Sequence, residues 1–88
     1  MLKILFFYGK DGQSKIQEEF LNNIEILLKR KVEIKRINSE KDKENLQKYG
    51  INQTPTIIIE KAGKVTDKFV GFTQELFLKR AIEKNLTK

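Results

Sequence analysis

Residues 2–8, "LKILFFY", form a nearly continuous apolar run bounded by Gly9, the signature of a central strand covered on both faces. From Ser14 to Arg30 the apolar residues Ile16, Phe20, Leu21, Ile24, Leu27 and Leu28 recur at spacings of three and four. This predicts an amphipathic helix with Gln17, Glu18, Asn22, Asn23 and Glu25 toward solvent, and Ile26 fits the stripe poorly. "VEIKRI" at 32–37 alternates as a half-buried strand until Arg36 breaks the pattern. "KENLQKYG" predicts about two helical turns ended by a Gly50 cap. "PTIII" and "KVTDKFV" predict two strands joined at Ala62-Gly63, a hairpin that Gly71 ends. Thr73 is placed to cap a last helix, with Phe77, Leu78, Ala81, Ile82 and Leu86 on its buried side. The order is β-α-β-α-β-β-α, an α/β fold. A right-handed first βαβ unit makes its strands parallel, and the hairpin completes a four-stranded mixed sheet with helices on both faces.

Length bounds this reading to one small domain over residues 1–88, burying roughly 60–65% of its unfolded surface. The apolar N-terminus lacks a basic segment and a small-residue cleavage site, so it reads as a strand rather than a leader. A cytoplasmic location and no membrane partner are the expectation. A net charge of +6 with pI near 9.6 raises the question of an anionic partner. The lysines are interleaved with acids, as in "NSEKDKENLQK", so a nucleic-acid partner is the weaker expectation.

The chemistry is constrained by what is missing. The chain has neither cysteine nor histidine, which excludes disulfides, thiolate metal sites, dithiol exchange and imidazole acid–base work. No phosphate-cradling motif occurs, because Gly9-x-x-Gly12 is too short and lacks the following Lys-Ser/Thr. Ser14 has no histidine to deprotonate it. No catalytic residue, metal or cofactor is assigned. At the junction of first strand and first helix stands Asp11-Gly12-Gln13-Ser14. Asp is a favoured N-cap, and Ser14 with Gln17 reads as a capping box.

In order and motif the chain resembles the thioredoxin family. The resemblance rests on Tyr49-Gly50-Ile51, on Thr54-Pro55-Thr56 before an apolar strand, and on the Lys61-x-Gly63 turn. A second strand closing on Gly71 and a final helix complete it. The chain lacks the extra N-terminal strand and helix of full-length thioredoxins and so is similar to the small thioredoxin- and glutaredoxin-like members. The resemblance implies a cis Pro55 facing the turn at 11–14. It also implies a substrate groove of Lys10, Asp11, Gly12, Gln13 and Ser14; Gln53, Thr54 and Pro55; and Val70, Gly71 and Phe72. The main chain at Thr54 would pair with an extended peptide there. The family's Cys-x-x-Cys is replaced: Asp11 stands at the first cysteine, Ser14 at the second, Lys10 at the preceding aromatic, and Leu5 at the buried acid. The expected function is that of a redox-inactive protein- or peptide-binding module. The alternatives are a thiol–disulfide oxidoreductase whose cysteines are absent from this chain, and a basic nucleic-acid binder. Phe72 is either an exposed anchor for a partner or a staple under the last helix.

Overall fold

The computed structural model describes residues 2–87. Four strands and three helices alternate as β1 (Leu2–Tyr8), α1 (Gly12–Leu27), β2 (Val32–Asn38), α2 (Lys43–Tyr49), β3 (Thr56–Lys61), β4 (Lys64–Val70) and α3 (Glu75–Leu86). The sheet order is β2-β1-β3-β4. β1 runs parallel to β2 and antiparallel to β3, and β3 pairs antiparallel with β4. The chain therefore has the mixed four-stranded α/β architecture that its pattern predicts.

The unbroken apolar run of β1 follows from this position. A central strand alternates its side chains between two covered faces. Leu2, Ile4 and Phe6 meet Leu21 and Ile24 of α1 and Leu78 and Ile82 of α3. Leu5 and Phe7 point the other way, to Ile37, Ile58 and the residues of the α2 region, Leu46, Tyr49 and Ile51. Gly50 closes α2 in the left-handed conformation, φ 65°, where a side chain would be strained.

Three details differ from the sequence reading. α1 starts at Gly12 and stops at Leu27, so Lys29-Arg30-Lys31 forms a turn, with Arg30 in the left-handed region at φ 76°. The inward line of α1 is Ser14, Gln17, Leu21 and Ile24. Gln17 is fully buried rather than solvated, whereas Ile16 and Leu27 are 45% and 63% exposed. On α3 the N-cap is Gln74, not Thr73. Its buried line is Leu78, Ile82 and Asn85, and Phe77 is 53% exposed. Asn85 is satisfied there, its amide donating to Asp67 and to the Ala81 carbonyl. Arg36, which breaks the alternation of β2, lies under α1 and pairs with Glu18 and Glu25 while donating to Asn22.

Candidate functional site

The C-terminal end of β1 is where the sheet hands the chain to a helix, and where the loops before β3 and after β4 also lie. Asp11 is the N-cap of α1. Its carboxylate accepts from the Ser14 amide at 3.0 Å, from the Ser14 hydroxyl at 2.8 Å and from the Thr54 hydroxyl at 3.0 Å. The Gly9 amide in turn donates to the Ser14 hydroxyl at 3.1 Å. Ser14 is consequently buried, and the turn is a closed hydrogen-bonded knot rather than a presented nucleophile. Partial desolvation pushes the Asp11 pKa up, but the bonds from Ser14 and Thr54 outweigh it, leaving it below the ordinary value of 3.8.

Close approach explains one glycine. A Cβ on Gly9 would stand 2.7 Å from the Thr54 hydroxyl and 3.0 Å from Asp11, so any side chain there would push apart the groups that tie the two loops. The Thr54–Pro55 peptide is cis. The Gly71 amide donates to the Pro55 carbonyl at 2.8 Å, and the Thr56 hydroxyl donates to the Gln53 carbonyl at 2.7 Å. Gly71 has φ 84°, and a Cβ there would stand 3.1 Å from the Gln53 side chain, so the third segment runs close over the second. The three stretches named from sequence thus come together at one end of the sheet. Lys10, Gly12 and Gln13 are exposed at the rim, with Lys10 paired to Glu40 at 3.5 Å. Val70 is 58% exposed. Phe72 is half-exposed and packs against Phe20 of α1 with ring centres 5.6 Å apart, so it neither stands free nor tucks wholly beneath α3.

The capping box is not formed. Gln17 does not reach back to Ser14. Its amide donates to the Thr73 carbonyl at 2.9 Å and accepts from the Thr73 amide at 2.8 Å. This two-way clasp fixes the loop carrying Gly71 and Phe72 onto α1, and sequence reasoning missed it. The signal was a polar residue spaced three after Ser14 and four before Leu21, on the same helical line. Thr73, expected as a cap, spends its backbone on Gln17 and donates its hydroxyl to Gly71.

Chemically, the knot is inert toward exchange. The chain has no thiol, and Leu5, at the position of the family's buried acid, is 2% exposed among apolar neighbours. Among the described residues no group of His, Cys, Asp or Glu is arranged to hold a metal.

A mixed sheet with α1 and α3 on one face, α2 on the other, and a cis-proline loop beside the first helix's N-terminus defines a thioredoxin-like domain. A family model of thioredoxin matches residues 6–84, and the chain belongs to the thioredoxin family. It is 28% identical over 75 residues to thioredoxin of Bacillus subtilis, spanning 85% of this chain and 72% of that one. It is 30% identical over 56 residues to thioredoxin 1 of Nostoc, spanning 64% and 52%. Among solved structures, thioredoxin-2, a component of malaria parasite protein secretion machinery, superposes with TM-score 0.91 at 18% identity, covering 96% of this chain and 82% of that one. A second malarial protein superposes with TM-score 0.89 at 17% identity, covering 100% and 99%. At these identities the structural likeness speaks for the fold.

Proposed function

We propose that this protein is a redox-inactive member of the thioredoxin family that holds an extended peptide segment across Lys10–Ser14, Gln53–Pro55 and Val70–Phe72. One observation carries the reading: these stretches are tied to one another by bonds that need no sulfur. Asp11 to Thr54 joins the first to the second, and Gly71 to Pro55 joins the second to the third. Dithiol exchange requires a thiolate, and the chain has none. Strand-like main-chain pairing requires only a fixed edge and flanking apolar surface, and Val70 and Phe72 supply the latter. Asp11 holds the groove together instead of reaching for the guest. Without a covalent link, affinity is expected on the order of micromolar or weaker, because one short strand buries little surface.

The test is amide NMR on the isotopically labelled chain, titrated with a peptide selected against it from a random-peptide display library. Shifts clustered at residues 10–14, 53–55 and 70–72, and binding weakened by Val70→Asp, support the reading. Shifts confined to another face, with those residues silent, overturn it.

A further inference from the structure

The opposite pole of the molecule has a different character. There the α1–β2 turn, Lys29-Arg30-Lys31, lies beside the β3–β4 turn that ends in Lys64. Arg30 and Lys31 share one hollow with Ala62 of that hairpin, and Arg30 shares a second with Ile26 and Lys29. The two hollows are therefore one continuous surface centred on Arg30. Lys29, Arg30, Lys31 and Lys64 are all exposed, and none of them is in an ion pair among the described residues. Of the nearby acids, Glu25 is engaged by Arg36 and Asp67 by Lys84, while Glu33, two residues beyond Lys31, is exposed on β2. Next to this basic cluster, the last turn of α1 exposes Ile26 and Leu27, at 74% and 63% the two most exposed of the large apolar side chains described. Arg30 also sits at φ 76°, a conformation that favours glycine or asparagine.

We propose that this pole, formed by Ile26, Leu27, Lys29, Arg30, Lys31 and Lys64, docks reversibly on an anionic lipid surface. Peripheral attachment needs two weak signals together, basic residues for the head groups and aliphatic side chains to enter the interface, and both are present side by side. A nucleic acid would use aromatic platforms with its basic groove. The exposed apolar residues here are aliphatic, which favours lipid. The patch lies around the start of β2 and the α1 terminus, while the peptide groove lies at the far end of β1, about 20 Å away along the strand. Docking would leave that groove facing the aqueous side.

The test is flotation of the full chain with vesicles of phosphatidylcholine alone or mixed with phosphatidylserine. Binding is expected only to the mixed vesicles. Each cation near an anionic leaflet contributes about fivefold in partition, so replacing Lys29, Arg30 and Lys31 with Gln should weaken it on the order of 100-fold. Replacing Lys41, Lys43 and Lys48 with Gln removes the same charge from the α2 region and should cost far less. Ile26→Ser with Leu27→Ser should also weaken binding, with all variants checked for an unchanged melting curve. Equal losses in the two sets of cations would reduce the effect to net charge and overturn the proposal. So would full binding by the Ile26/Leu27 variant, no binding to the mixed vesicles, or stronger binding to a single-stranded oligonucleotide than to lipid.

Discussion

Gln17→Leu tests the clasp between α1 and the loop after β4. Leucine matches glutamine roughly in size and fills a fully buried site, so packing is largely kept. What is lost is the pair of bonds to the Thr73 amide and carbonyl. Each of the two abandoned backbone groups costs about 1–3 kcal/mol, roughly 2–6 kcal/mol for the pair. Thr73 is only half-buried, so water recovers part of this, and the new aliphatic surface offsets some more. A net loss of about 1–3 kcal/mol is expected, against a total of about 4–13 kcal/mol for a chain of this length. The melting temperature should fall by roughly 5–20 °C. Gln47→Leu, on the exposed side of α2, should stay within about 0.5 kcal/mol. Hydrogen exchange at the Thr73 amide gives the local readout: protected in the parent, fast in the variant. Gln17→Glu adds a sign test. Burial raises the folded-state pKa of a carboxyl at this site, so its deficit should be largest at neutral pH and shrink as acidification lets it donate to the Thr73 carbonyl. A Gln17→Leu protein melting within about 2 °C of the parent, with Thr73 still protected, would refute the clasp.

Four further outcomes are expected. In an insulin-reduction assay with dithiothreitol the chain should add nothing to the background rate, since no thiol exists to form a mixed disulfide. Asp11→Cys with Ser14→Cys should oxidise to an intramolecular disulfide under mild oxidant, seen by thiol titration and mass, because the two side chains already meet at 2.8 Å. Gly9→Val should lower stability by about 1–3 kcal/mol in urea melts, since its Cβ would clash with the Thr54 hydroxyl. Asp11 has a depressed pKa, so its contribution is present above the ordinary value and lost as pH falls through the lower folded-state value. The melting temperature of the parent should therefore drop more steeply than that of Asp11→Asn between about pH 5 and pH 2.

The fold was legible because each element carried its own period. The run in β1 and the alternation in β2 marked strands, and the glycines at 50, 63 and 71 all occupy positive-φ positions where the chain turns. What misled was the helical stripe. Counting apolar residues put Ile16 and Leu27 inward and Gln17 outward, yet the true line runs Ser14, Gln17, Leu21, Ile24. Periodicity reports which residues are apolar, whereas burial follows where the helix axis is pinned. Here Asp11 and Thr54 pin its start, and no local pattern could show a bond across 43 residues. The same limit applies at α3. Asn85 is buried where Asp67, on β4, accepts from its amide, while Phe77 is left outside.

The site divides along the same line. Its membership came from motif order, but its chemistry depended on partners that only the folded chain brings together. An aspartate at a helix N-terminus, considered alone, reads first as a cap and only second as a charge offered to a partner. The structure shows a carboxylate accepting from three donors, two on Ser14 and one on Thr54, which leaves it little capacity for a guest. In an exchanging enzyme the first residue of this turn must be free to attack. Here it is the residue most thoroughly held, and what it holds is the loop at Thr54. The turn and the loop at Thr54 are thus joined without sulfur. The bond between Asp11 and Thr54 links turn and loop, and the recognition proposed at this end of the sheet would rest on the main chain at 53–55 and the apolar rim at Val70 and Phe72.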